Sequence, residues 1–344
     1  MIANPSASPV ATAAPYVELK RRIESAGLLE KRPGYYSLML VTNLTVFVLS
    51  FAALGFVKGI VATVLVAVLL GFVSGQLGFQ LHDSGHRQMF ASRKLNTIIA
   101  MVTADGLLGM SSGWWIDKHN RHHGNPNHQD LDPDIGIGVI AYSTEQAQAK
   151  RGIARWIASH QAGLFFVLIL GLGWAMHHSS IKYLAGVKSR LRVVEIVTLC
   201  VHLVLYVGLI VAMVGPWRAI LVIVIQKSVG GFYMASVFAP NHKGMPQIEP
   251  GQEMDFLRTQ VLTARNVRSH PLTDLLYGCL NYQIEHHLFP TLPRCNLRRA
   301  HGMVRAYCSE VNVPYYETSI VRSYREILSF LAEVSAPLRG TAAA

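Results

Sequence analysis

The chain has 344 residues, 51% of them hydrophobic and only 15% charged, with 31 Lys and Arg against 20 Asp and Glu for a formal net charge of +11. Such a composition excludes an ordinary water-soluble domain and reads as an integral membrane protein, whose basic excess serves cytoplasmic flanks and contacts with membrane lipids. No stripe of interleaved aromatic and basic residues points to nucleic acid, and Cys200, Cys279, Cys295 and Cys308 form no CxxC pair, so they read as free thiols in a reducing compartment.

Residues 1–34 read as a disordered or amphipathic cytoplasmic segment. Its start, MIANPSASPVATAAP, lacks the charged beginning and apolar core of a secretory signal and is too small and Pro-rich to pack. A single membrane domain is expected over 35–330. Its first apolar runs, about 37–57 and 60–81, each reach the roughly 20 residues that a spanning helix needs, and only Lys58-Gly59 separates them, so they form a hairpin. The string HDSGH, His82 to His86, follows at once. The next run, 97–115, is interrupted by Asp105, Gly106 and Gly109 and leads into HNRHH, His119 to His123. That run and a short one at 163–176 suit re-entrant or interfacial helices better than full spans. A second hairpin follows at about 193–214 and 217–239, turned by Gly215-Pro216, and then the segment APNHKG and the string QIEHH, Gln283 to His287. Residues 331–344 read as a disordered tail.

Basic residues before the first run, after the second and before the third orient the hairpins, because positive flanks stay in the cytoplasm. Four transmembrane helices therefore leave both termini and all three histidine strings on the cytoplasmic side. The expected fold is an all-α integral membrane protein: two hairpins, interfacial or re-entrant helices, and a cytoplasmic helical cap holding a histidine-rich metal site.

In the first two strings imidazoles fall three or four residues apart, which on a helix places them on one face, while the third holds the adjacent pair His286 and His287. Neutral imidazole suits iron, zinc, copper or nickel. His82, His86, His119, His122, His123, His286 and His287 make seven candidate ligands, more than the four of one tetrahedral zinc, so two metal ions account for the number. His242 is an eighth candidate, and Asn241 a further ligand or water holder.

These strings, in this order and placed around two hairpins, resemble the membrane fatty acid desaturases, whose pattern is HxxxH, HxxHH, and H or Q followed by xxHH. The likeness covers about residues 35–325. It implies that the eight histidines hold two non-haem irons, that dioxygen is a co-substrate, and that two hydrogens are removed from an acyl chain carried as acyl-CoA or acyl-lipid. Gln283, where many members have histidine, resembles the front-end subgroup, which inserts double bonds toward the carboxyl end. The resemblance also implies a separate electron donor, a ferredoxin or a cytochrome b5-like protein with its reductase, since the segment before the first span is too short for a fused cytochrome domain.

Metal-bound imidazoles usually donate their other nitrogen to a carboxylate or carbonyl. Asp83 and Glu285 are the leading candidates for that role, ahead of Asp117, Asp130, Asp132, Asp134 and Asp255; His128 is a loop or supporting residue. Trp114 and Trp115 are candidates to line an acyl tunnel, or else anchor at the interface. Arg258, Arg265, Arg268, Arg294, Arg298 and Arg299 suit a phosphate-bearing head group or anionic lipid. His160, His177, His178, His202, His270 and His301 read as structural. A related di-iron hydroxylase or ketolase shares these strings and stays open; a haem-binding electron carrier is less favoured because only His202 lies inside a span, and a zinc protease lacks its HExxH.

Overall fold

The computed structural model describes residues 9–136 and 138–339. The first eight residues and the last five, which belong to the two terminal segments expected to be disordered, lie outside them. The chain divides into a long-helix unit, residues 31–120 and 163–238, and a short-helix unit that includes 121–162 and the stretch from 239 onward, together with the N-terminal 30 residues.

The long-helix unit begins with Pro33–Ala53 and Ile60–Gly85, an antiparallel pair. Pro33 starts the first helix at a position where its missing N–H costs nothing, and Gly59, at φ 79°, makes the turn that the Lys58-Gly59 break predicted. The interrupted run resolves into Arg93–Met101, a π-helical stretch Val102–Leu108, a left-handed turn at Gly109, and the start of Ser112–Gly124. Then come Gln161–Gly186, Arg192–Val214 and Pro216–His242, the last two joined by Gly215 at φ 78°. Leu54, Leu70, Leu77, Ile210 and Val222 pack inside, whereas Leu38, Val41, Leu49, Val61, Val193 and Val204 remain exposed along the helices, as lipid-facing side chains do.

Five of the described helices are long and apolar enough to cross a membrane, where four were expected. The difference is Gln161–Gly186. Its apolar run stops near Met176, but the polar residues beyond it include no helix breaker, and they find partners: His177 Nδ1 donates to Gly173 O at 2.7 Å and Ser180 Oγ accepts from Ser111 N at 3.1 Å. The helix therefore continues to Gly186. The chain is a multi-pass, mainly helical membrane protein.

The short-helix unit packs Pro9–Ser25, Phe256–Leu262, Gln283–Leu288 and Arg294–Glu310 around Leu19, Ile23, Val261, Ile284, Leu288, Leu297 and Val304. Residues 266–267 and 317–318 pair as a two-residue parallel ladder. Arg265 is buried beneath it, donating to Glu326 at 2.8 Å and to the carbonyls of Pro240 and Lys243. One terminal expectation is corrected here, the disordered tail from 331 on. Leu19 and Ile23 are fully buried in the N-terminal helix, and Ile320–Arg339 runs through much of the segment read as a tail, with Leu331, Val334 and Leu338 buried. A four-residue apolar period on each helix supplies the face, and a distant cluster supplies its cover.

Candidate metal centre

Both units carry histidines. In the long-helix unit, Ile60–Gly85 continues four residues past its apolar run, so His82 lies on its last turn and His86 closes it, its N–H donating to His82 O at 3.0 Å. His119 comes from Ser112–Gly124. The three rings meet with centroids 4.8 to 5.1 Å apart. His82 Nδ1 lies 3.0 Å from Asp83 Oδ1, both buried. Trp115, one turn before His119, stacks on its ring at 4.4 Å and 28°. The start of that helix is held by two buried acids: Glu195 accepts from Ser111 Oγ at 2.5 Å and Gly113 N at 3.1 Å, and Asp105 accepts from Ser112 N at 3.3 Å.

In the short-helix unit, His122, His242 and His287 are buried with centroids 4.6 to 5.0 Å apart. Their far nitrogens are engaged. His122 Nδ1 donates to Asp132 at 3.0 Å, His242 Nδ1 to Thr263 O at 3.1 Å, and His287 Nδ1 to Gln260 Oε1 at 2.9 Å. Once those protons point outward, each Nε2 carries a lone pair, and the lone pairs of His122 and His242 face each other at 3.3 Å. Two acceptors so close repel unless a proton or a metal ion lies between them. His123 Nε2 and His286 Nε2 also approach, to 3.0 Å. Buried imidazoles with their second nitrogens fixed by a carboxylate, an amide oxygen and a carbonyl are the donor set of a first-row transition metal, and the site fits one.

Gln283 lies at the edge of this trio. Its Nε2 donates to His242 Nε2 at 3.0 Å, and its Oε1 accepts from Asn241 Nδ2 at 3.0 Å. Asn241 Oδ1 is buried with no bond among the described residues. Asp132 also accepts from the backbone N–H groups of Asn127 and Asp134, both at 2.8 Å. Burial works to raise its pKa, but His122 beside it prevails and holds the carboxyl below its usual range. Asp134 stands 3.5 Å from His122 Nδ1.

The other singled-out residues separate from these clusters. Glu285 is fully buried and binds Asn266 Nδ2 and Tyr315 Oη, each at 2.7 Å, and burial raises its pKa. Asp255 caps Phe256–Leu262, Asp117 and Asp130 are exposed, and His128 Nδ1 accepts from Asp130 N. His270 caps Pro271–Leu276, His301 pairs with Glu317 at 2.7 Å, His160 binds Trp156 O, His202 binds Gly106 O, and His178 is exposed. Among the arginines, Arg265 and Arg294 are buried, Arg258 pairs with Asp255, and Arg268, Arg298 and Arg299 are exposed. Gln260 and Thr263 escaped the sequence reading because their link to His287 and His242 exists only in space.

Within the long-helix unit, a partly open cavity is lined chiefly by apolar groups, among them Leu81, Trp115, Met176, Met234 and Phe238, with Lys227 and His177 also in its wall. Trp115 thus touches both the cavity and His119, while Trp114 is not among the lining residues.

Residues 58–319 match the family model for fatty acid desaturases. The chain is 31% identical to an acyl-lipid (9-3)-desaturase of Physcomitrium patens, over 88% of its own length and 59% of the relative's. It is 28% identical to the Delta(6)-fatty-acid desaturase fat-3 of Caenorhabditis elegans, over 95% and 76%, and 31% identical to a Delta(8)-fatty-acid desaturase of Euglena gracilis, over 87% and 73%. The chain belongs to the fatty acid desaturase family.

Proposed function

We propose that the eight histidines, His82, His86, His119, His122, His123, His242, His286 and His287, hold two irons, one of them in the His122, His242 and His287 trio. Bound iron supplies the activation of dioxygen, with two electrons from outside, that removes two hydrogens from an unactivated acyl chain. The observation that carries this reading is the convergence of Nε2 lone pairs whose Nδ1 protons are already committed to Asp132, Thr263 and Gln260. Those partners orient the rings before any metal arrives, so little reorganisation accompanies binding.

The chain's other task is to aim the substrate. The apolar cavity takes the acyl tail, and Trp115, stacked on His119, forms the wall where tail and histidines meet. Gln283, whose amide N–H reaches His242 Nε2 and would yield that lone pair to a bound iron, closes the edge of the trio with Asn241. Its position in the third string and the relatives that act at Delta(5), Delta(6) and Delta(8) support a front-end regiochemistry. The same reading has four helices spanning the membrane, Gln161–Gly186 lying otherwise, with the histidines facing the cytoplasm, where a ferredoxin or cytochrome b5-like protein delivers electrons and acyl-CoA or acyl-lipid presents the chain.

Expression in a host lacking the activity, followed by mass spectrometry that locates double bonds, tests this directly. A new double bond counted from the carboxyl end is the expected product; an oxygenated chain with no new double bond would establish a hydroxylase or ketolase instead.

A further inference from the structure

Lys227 lies midway along Pro216–His242, in a helix long and apolar enough to span the bilayer. Ionisable groups are costly in such a setting and mark function when they line a cavity. Lys227 does line one, beside Ser74, Gln226 and His177. Phe238, another lining residue, is eleven positions further along the same helix, about 16 Å at the helical rise per residue. The cavity therefore runs lengthwise along this helix. Its wall is apolar at Leu81, Trp115, Met234 and Phe238 and polar at Ser74, Gln226, Lys227 and His177.

The polar end is fixed by a chain of bonds. His177 Nδ1 donates to Gly173 O, which leaves Nε2 to accept from Lys227 Nζ at 2.9 Å. Lys227 Nζ also donates to Leu108 O at 3.0 Å, the last carbonyl of the π-helical stretch before the turn at Gly109. Gln226 Nε2 donates to Ser74 Oγ at 3.0 Å and Gln226 Oε1 accepts from the Tyr206 hydroxyl. Gly173 makes the arrangement possible, since a Cβ there would run into Lys227 O, and the close approach of the two helices at that point brings His177, one turn on, to Lys227.

We propose that Lys227, held by His177, is the floor of this cavity and a determinant of the chain length it accepts; this rests on the reading of the cavity as the acyl site. An alkyl end that reaches the floor meets donors and acceptors already bonded to one another. To go deeper it must displace Lys227 and strand Leu108 O and His177 Nε2 away from water, which an apolar group cannot repay. Above the floor, each additional methylene gains contact; at the floor the gain reverses. Lys227 acts here as a specificity-determining residue and takes no part in the oxidation.

The test compares the wild-type enzyme with Lys227→Ala, Lys227→Arg and His177→Phe, each supplied with saturated acyl substrates of graded length, reading both product and retention of non-reacting chains by native mass spectrometry in detergent. Lys227→Ala removes four side-chain heavy atoms and shifts the preferred length upward, with a change of about tenfold per methylene in the ratio of kcat/KM for long over short chains. Lys227→Arg, with its longer side chain, shifts it downward, and His177→Phe, by releasing the ammonium, broadens the range. Should Lys227→Ala fail to accumulate, Lys227→Met tests the same floor with less loss of volume. An unchanged length optimum in an active or chain-retaining variant overturns the proposal, and assigns Lys227 the lesser role of satisfying Leu108 O. A wild-type protein that yields no unsaturated product overturns the desaturase reading instead, and the retention profile then judges the floor by itself.

Discussion

Asp132 accepts a hydrogen bond from His122 Nδ1 at 3.0 Å, with both side chains buried, and so dictates which nitrogen of His122 faces His242 and His287. The sequence reading favoured Asp83 and Glu285 for this role. Asp83 does meet His82, but Glu285 spends its carboxylate on Asn266 and Tyr315. Asp132, ten residues after His122, is delivered by a loop whose own N–H groups it ties down.

Replacement of Asp132 by Asn keeps the volume and removes the charge. Iron affinity should fall by about 10- to 100-fold, the usual cost of losing a partner that orients a metal-bound imidazole. Chelator competition with elemental analysis checks this, and circular dichroism monitors the fold. Wild-type affinity in the variant would separate Asp132 from the metal site.

Gln283→Leu should destabilise the short-helix unit. Asn241 Nδ2 and His242 lose a buried partner, at a cost of about 1–3 kcal/mol. Gln283→His, which restores a nitrogen beside His242, should recover metal binding that the leucine variant loses. Thermal unfolding in detergent and iron content read the two effects separately.

Gly173→Val should disturb the long-helix unit. The new side chain meets the backbone of Pro216–His242 at Lys227, which has no flexible end to yield, and overpacking of this kind costs about 1–3 kcal/mol. A lowered melting temperature is expected, and an unchanged one would mean that the helices do not approach so closely.

The cysteines should label in a set order. Cys295 is exposed on Arg294–Glu310, whereas Cys308, on the same helix, is buried, and burial, aided by Glu285, pushes its thiol up to about 12. At pH 8 the thiolate is scarce and the sulfur covered, so maleimide should reach Cys295 rapidly and Cys308 only on unfolding. Mass-spectrometric peptide mapping of a time course decides it; early modification of Cys308 would contradict the packing of this helix.

What the sequence by itself determined is what short-range periodicity encodes. Apolar runs bounded by Gly59 and Gly215 specified the helical hairpins, and imidazoles three or four residues apart specified candidate metal faces, because helix geometry makes such spacings local facts. Only the tertiary structure decided the rest. Gln161–Gly186 outlasts its apolar run because Gly173 and Ser111 answer its polar groups, and the terminal helices are ordered because distant clusters cover Leu19, Ile23 and Leu331. Gln260 and Thr263 orient two imidazoles, and His177, read as an ordinary structural histidine, pins Lys227 across fifty residues of chain. None of these contacts has a spacing rule. A hydrogen bond between distant segments depends on where packing brings two atoms, and that is settled by the whole fold rather than by any window of sequence.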